Sequence, residues 1–229
     1  MCGRYTFSPA DNFYQRFDIE NRLVKMETHY NVAPGYIMPV VSRKSPNRAV
    51  LMKWGLIPFW AKDARIGYQM INARAETLQE KPAFRKPLSQ FRCLVPANGF
   101  YEWEKTQDGK QPFYIRLRSE EMFAFAGLYD QWVDAEGKEI ETYTIITTTA
   151  NSVVEPIHNR MPAILKKENE EIWLNHQETD INKILALLTP YNAEEFEAYP
   201  VSKAVNKPEN DSKDLIKLYK ESQLQEKLF

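Results

Sequence analysis

Phe13 and Phe17 stand four residues apart with Tyr14 beside them, which predicts a short helix over residues 11–18. The pattern then breaks. Tyr30-Asn31-Val32-Ala33-Pro34-Gly35 is turn chemistry, because the residue ahead of a proline is pushed out of the helical region and Gly35 tolerates a positive φ. Residues 39–42 and 49–54 predict a strand pair around Lys44-Ser45-Pro46-Asn47, and a short helix is expected between Pro82 and Pro87. Residues 93–97, 100–105, 112–118, 122–132 and 142–149 are mostly β-branched or aromatic and predict strands, with Asp108-Gly109 and Glu136-Gly137 as hairpin turns. Helical spacing returns at 168–174, 180–188 and 193–196, and residues 212–228 predict a weakly amphipathic helix.

Closely spaced strands joined by short turns argue for an antiparallel sheet that curls on itself. The expected class is α+β: one domain with a curled, mainly antiparallel, barrel-like β core and peripheral helices. No internal repeat, low-complexity linker or clean domain boundary interrupts the pattern.

Composition adds limits. The chain has 229 residues, 43% hydrophobic and 13% aromatic, enough for one sizeable core and unlike a disordered segment. No apolar run approaches the ~20 residues of a membrane span, and no basic-then-apolar leader is read at the start. Cys2 and Cys93 are the only cysteines and the histidines (His29, His158, His176) are scattered, so neither a disulfide framework nor a zinc site is expected. A reducing cytoplasm is the natural compartment. Residues 1–118 carry 19 Lys/Arg against 10 Asp/Glu, and residues 119–229 carry 11 against 21. That split suits a first half facing an anion such as nucleic acid; it suits equally two halves that neutralise each other in one fold.

The candidate chemistry begins at Cys2. Once Met1 is removed, its α-amine and thiol sit on adjacent carbons, a pair no internal cysteine offers. Such a 1,2-aminothiol condenses with an aldehyde to an imine and then closes to a five-membered thiazolidine. The amine titrates near pH ~8 and a free thiol near ~8.5, so both are partly reactive at neutral pH. Asn72 and Arg74 occupy alternate positions and share a face if extended, where they suit a phosphate or an amine. Glu102, between Tyr101 and Trp103, is a carboxylate among aromatics, a setting that raises its pKa toward general acid/base use. His158 is placed to move protons near pH 7, with Arg160 beside it as an anion contact. Arg4, Trp54, Phe59, Trp60 and Arg74 interleave cations with aromatics, as single-stranded nucleic acid requires. Each residue also has a plainer reading: a small residue behind the initiator, a capped turn, a solvent-facing glutamate, a structural histidine, a core aromatic.

Taken together and in order, these stretches resemble the SOS response-associated peptidase (SRAP) family, the abasic-site processing proteins. The resemblance covers residues 1 to about 208 and rests on Met-Cys-Gly-Arg at 1–4, Asn-Val-Ala-Pro-Gly at 31–35, Trp-Gly-Leu-Ile-Pro-x-Trp at 54–60 and Ile-Asn-Ala-Arg-Ala-Glu-Thr at 71–77. It continues through Gly-Phe-Tyr-Glu-Trp at 99–103, Thr-Thr-Thr-Ala-Asn at 147–151, His-Asn-Arg-Met-Pro at 158–162 and Val-Ser-x-x-Val-Asn at 201–206. Residues 209–229 fall outside it as a tail.

The resemblance implies that Cys2, freed of Met1 by self-cleavage or by a separate aminopeptidase, forms a thiazolidine with the ring-opened sugar of an abasic site in single-stranded DNA. It implies catalytic roles for Asn72 (positioning the amine), Glu102 (acid/base in imine formation and Met1 removal) and His158 (sugar-side proton transfers). Arg4, Arg74 and Arg160 would grip phosphates, and Pro34 and Trp60 would shape the channel. Ala61 stands where some relatives carry a second aromatic, which removes one stacking surface. The expected partner is abasic single-stranded DNA, with a monomeric protein in the cytoplasm or on the nucleoid, no membrane, no cofactor and no metal. Two other classes stay open: a cysteine N-terminal-nucleophile amidohydrolase or peptidase, and a non-enzymatic single-strand binding module.

Overall fold

The computed structural model describes residues 2–9, 12–23, 26–107 and 109–219. In chain order its strands are β1 (Arg4–Phe7), β2 (His29–Val32), β3 (Ile37–Ser42), β4 (Ala49–Trp54), β5 (Asn72–Arg74), β6 (Arg92–Ala97) and β7 (Gly99–Thr106). They continue as β8 (Gly109–Leu117), β9 (Phe123–Val133), β10 (Glu139–Thr149), β11 (Arg160–Pro162), β12 (Ile164–Leu165) and β13 (Phe196–Pro200). The α-helices are short: α1 (Phe13–Arg16), α2 (Pro82–Gln90), α3 (Lys167–Leu174) and α4 (Ile181–Leu185).

One sheet closes on itself. Strands β4, β3, β6, β9 and β10 are hydrogen-bonded in that order, and β10 returns to β4, making a five-stranded barrel with β5, β11 and β12 attached. Every contact in the ring is antiparallel except the β4–β10 seam, and β5 also runs parallel to β10. The other sheet, β13-β8-β7-β1-β2, is antiparallel throughout. The α+β expectation with a curled, barrel-like core therefore holds.

The two sheets share a core because alternate residues of β1 and β7 face the barrel. Tyr5 packs edge-on against Trp54 of β4 at 5.2 Å and Phe125 of β9 at 5.8 Å. Phe100 joins the same cluster, whereas Tyr101 and Trp103 face the opposite side, over a smaller core with Tyr114, Val201, Val205 and Leu215. Strand β9 is buried on both faces through most of its length, having barrel on one side and α2 and α3 on the other, so its sequence reads as a continuous apolar run.

The differences from the sequence reading are local. The first helix shrinks to one turn, the turn at 30–35 begins inside β2, and residues 193–195 form a 3-10 turn. Asp11, the first residue of the helix expected over 11–18, and Asp108 of the expected hairpin turn lie outside the described residues. Of the helix expected over 212–228, the described part holds a 3-10 turn at Lys213–Ile216 with Leu215 buried; residues 220–229 lie outside it. Among the described residues no helix is long and apolar enough to cross a membrane.

Candidate active site

Strand β1 brings the start of the chain to Glu102. Arg4 lies opposite Tyr101 and Tyr5 opposite Phe100, so the residues ahead of Arg4 run alongside the next positions of β7. Cys2 is wholly buried, and its Sγ donates to the Arg4 carbonyl at 3.7 Å. Glu102 is 2% exposed, on the barrel-facing side of β7. Desolvation raises its carboxyl to about 7, and the positive charge at the amino terminus acts against that rise. Burial, and then the negative charge of Glu102, push the Cys2 thiol far above its ordinary range. Burial and the same amino-terminal charge hold His158 below the usual histidine value. Cys2 thus feels the charge of Glu102, and Cys2, Glu102 and His158 each feel the positive charge at the amino terminus.

Asn72 and Arg74 do lie on one extended strand. Asn72 sits beside Ile145 of β10 and Arg74 beside Thr147. The Asn72 amide nitrogen donates to the Ile71 and Ile145 carbonyls at 2.9 and 3.5 Å, which fixes the amide orientation; its Oδ1 is buried without a partner. Arg74 is exposed. In the turn after β10, His158 Nδ1 lies 3.0 Å from the Arg160 backbone nitrogen and 3.3 Å from the Arg160 carbonyl oxygen, so the Arg160 backbone fixes the orientation of the ring.

The other predicted contacts are distributed unevenly. Arg160 makes a two-pronged ion pair with Glu76 at 2.6 and 2.9 Å and donates to the Thr147 carbonyl at 2.6 Å. Arg4 donates to Asn31 Oδ1 and the Val205 carbonyl, both at 2.8 Å. Pro34 is half-buried in the turn after β2, and Trp60 is 48% exposed in the loop after β4. Phe59 is also exposed, with Lys86 Nζ 4.2 Å from its ring centre. Trp54 departs from the interleaved set. It is core, its indole donating to the Ile71 carbonyl at 3.0 Å and its ring stacked 6.4 Å from that of Tyr143. The apolar environment of the barrel claimed it, and the exposed aromatic surface is Phe59 and Trp60.

Sequence reasoning missed three partners: Glu76, which neutralises Arg160; Asn31, which receives Arg4; and the Tyr5–Tyr143 hydroxyl contact at 2.7 Å. Glu76 and Asn31 stand within the quoted motifs, but nothing local marks their distant partners. The start of the chain thus meets a buried carboxyl raised to about 7, while an imidazole held below its usual value lies in the turn after β10 and an unpartnered amide oxygen on β5.

Comparison with known proteins follows the same residues. The family profile described as SOS response associated peptidase (SRAP) matches residues 1–208. The chain is 52% identical to the abasic site processing protein YoqW of Bacillus subtilis (strain 168), covering 94% of this chain and 99% of that one. It is 34% identical to the abasic site processing protein HMCES of Gallus gallus, over 82% of this chain and 65% of the relative. A crystal structure of a protein from Bacteroides thetaiotaomicron superposes with a TM-score of 0.88 at 33% identity, covering 96% of this chain and all of that one. With motifs, barrel and near-complete coverage in agreement, the chain belongs to the SOS response associated peptidase (SRAP) family.

Proposed function

We propose that this protein processes abasic sites in single-stranded DNA by capturing the exposed sugar aldehyde on Cys2 after Met1 is removed. The observation that carries the reading is Glu102: a carboxyl at 2% exposure, raised to about 7, beside a cysteine at the second position of the chain. A group half-ionised at neutral pH serves as base in one step and as acid in the next. The names of the relatives support the substrate class.

While Met1 is attached, the Cys2 nitrogen is an amide and the thiol is protonated, so the precursor is inert. Removal of Met1 by hydrolysis, with Glu102 activating the water, uncovers the amine. The amine adds to the C1′ carbonyl of the ring-opened sugar; the carbinolamine takes a proton from Glu102 and loses water, and the resulting iminium returns a proton to the Glu102 carboxylate to give the imine. Sγ then adds to the imine carbon while its proton passes to nitrogen, closing a ring of C1′, N, Cα, Cβ and Sγ. Closure within one residue gives weak nucleophiles a high effective concentration. The unpartnered Oδ1 of Asn72 is an acceptor for the amine, and His158, held below the usual histidine pKa by burial, serves the ring-opening step on the sugar. Arg74 and, on exchange from Glu76, Arg160 meet phosphates, with Trp60 and Pro34 along the strand's path.

The test is denaturing electrophoresis of the protein with an oligonucleotide bearing one abasic site, wild type beside Cys2→Ala. A gel-stable adduct with wild type alone, on a protein whose intact mass lacks Met1, is the expected result. An adduct mapped to Cys93 or a lysine, or one formed with Met1 retained, overturns the reading.

A further inference from the structure

Arg4 is assigned to phosphate by the family resemblance, yet its guanidinium is engaged within the protein. Nη1 donates to Asn31 Oδ1 and to the Val205 carbonyl at 2.8 Å each, and Nη2 to the Asn206 carbonyl at 3.4 Å. Asn31 is wholly buried in β2 and uses both ends of its amide. While Oδ1 accepts from Arg4, Nδ2 donates to the carbonyls of Val205, Lys207 and Asn210 at 3.2, 3.0 and 2.8 Å.

The segment so held is a clasp laid over β1, β2 and β7 from 200 positions away. Trp103 Nε1 donates to Asn206 Oδ1 at 2.8 Å, and the Asp211 carboxylate accepts from the Tyr30 N–H and meets His29 Nδ1 at 2.7 Å. At the other end of the chain of contacts, the Arg4 carbonyl receives the Cys2 thiol. Clasp, Asn31, Arg4 and Cys2 form one connected series.

We infer that Asn31 is a positioning residue, which locks the 205–210 clasp to Arg4 and thereby sets the place of Cys2, with Arg4 working inward and not on phosphate. This rests on the aldehyde-capture reading above. The need for asparagine follows from the donor count. Aspartate would still accept from Arg4 but would face three carbonyl oxygens with another acceptor, leaving the clasp repelled. Asn31→Asp therefore keeps one half of the junction and breaks the other, whereas Arg4→Gln removes the charge and most of the donors.

The experiment compares full-length wild type, Asn31→Asp and Arg4→Gln, each checked for folding by circular dichroism. Two quantities are read: the first-order crosslinking rate at saturating abasic oligonucleotide, and the salt dependence of affinity for the same oligonucleotide carrying a stable tetrahydrofuran analogue. Displacement of a nucleophile by about 1 Å predicts a rate loss of roughly 10- to 100-fold in both variants. Affinity and salt slope stay at the wild-type values. If Arg4→Gln instead weakens binding and lowers the salt slope by about 0.7, the value for one single-strand phosphate contact, Arg4 grips DNA and the inference fails. Unchanged rates in both folded variants also overturn it, and so does failure of both to fold, which makes the junction purely structural. If one variant alone does not fold, the other carries the comparison. Should wild type form no adduct at all, the functional reading falls by itself. The clasp is then read from amide exchange at 205–210, where Asn31→Asp speeds exchange if the junction exists and leaves it unchanged if not.

Discussion

At the scale of single residues, Glu102 sets a conflict between stability and chemistry. Its carboxyl is raised from 4.5 to about 7, so between those values the folded state holds more protons than the unfolded chain. Stability from this group is complete below pH 4.5 and is lost as pH rises through 7. At ~1.36 kcal/mol per pKa unit, the ionised carboxylate costs the fold about 3 kcal/mol above pH 7. Glu102→Gln is therefore expected to unfold at a higher temperature than wild type at pH 8, with the gain vanishing toward pH 5, while crosslinking falls by roughly 100-fold or more. Calorimetry across that pH range decides it, and a stability gain that grows on acidification would show that the carboxyl is not held near neutrality. Asn72 presents the opposite balance. Its Oδ1 is already without a partner, so Asn72→Ala forfeits only the two amide donations to carbonyls. The expected stability loss is about 1 kcal/mol, while single-turnover crosslinking slows by roughly 10-fold or more. A variant with wild-type rate would remove Asn72 from the site.

At the scale of elements, strand β7 was legible because alternation is a local property: Phe100 and Glu102 on one face, Tyr101 and Trp103 on the other, follow from the pleat alone. The same alternation puts Glu102 on the buried face with Phe100, and it is this burial that raises its carboxyl. Strand β1 was not legible, since Arg4 to Phe7 is too short for a period and becomes a strand only by pairing with β2 and β7. The same limit hid the pairing of Glu76, just after β5, with Arg160 of β11, two residues 84 apart in sequence. This ion pair ties together the two elements that present Arg74 and His158. Glu76 is half exposed, so the pair contributes at most about 1 kcal/mol. Glu76→Gln is accordingly expected to change the melting temperature little. It frees a guanidinium for phosphate, so single-strand affinity rises and the salt slope steepens by about 0.7. Titration by fluorescence anisotropy at several salt concentrations reads both, and weaker binding would mean that Glu76 holds Arg160 in its DNA-contacting position.

At the scale of the whole molecule, the split of charge between halves is partly answered inside the fold. Arg16 of the first half pairs with Glu170 of the second at 2.7 Å, and Arg116 with Glu197 at 2.8 Å. The first half's positive excess is thus smaller at the surface than in the sequence. The first two strands are also joined to the segment beyond residue 200. The family profile stops at residue 208, yet the described chain keeps packing beyond it. Leu215 is buried against Tyr101 and Tyr114, Tyr199 donates to the Ile216 carbonyl at 2.9 Å, and the Tyr219 N–H returns to the Pro200 carbonyl at 2.8 Å. This apolar anchor sits on the face of β7 opposite Glu102, separate from the barrel core, and it stabilises the end of the clasp that reaches Arg4. Leu215→Ala leaves a cavity there and is expected to cost about 2–3 kcal/mol, lowering the melting temperature by roughly 4–12 °C. The loss should be local before it is global. Amides over 201–217 exchange faster while those of β9 and β10 keep their protection, and crosslinking slows with them because the clasp loosens at Arg4. Uniform acceleration of exchange across the barrel would instead mean that the two cores open as one unit, with the C-terminal segment no more than an extension of the main core.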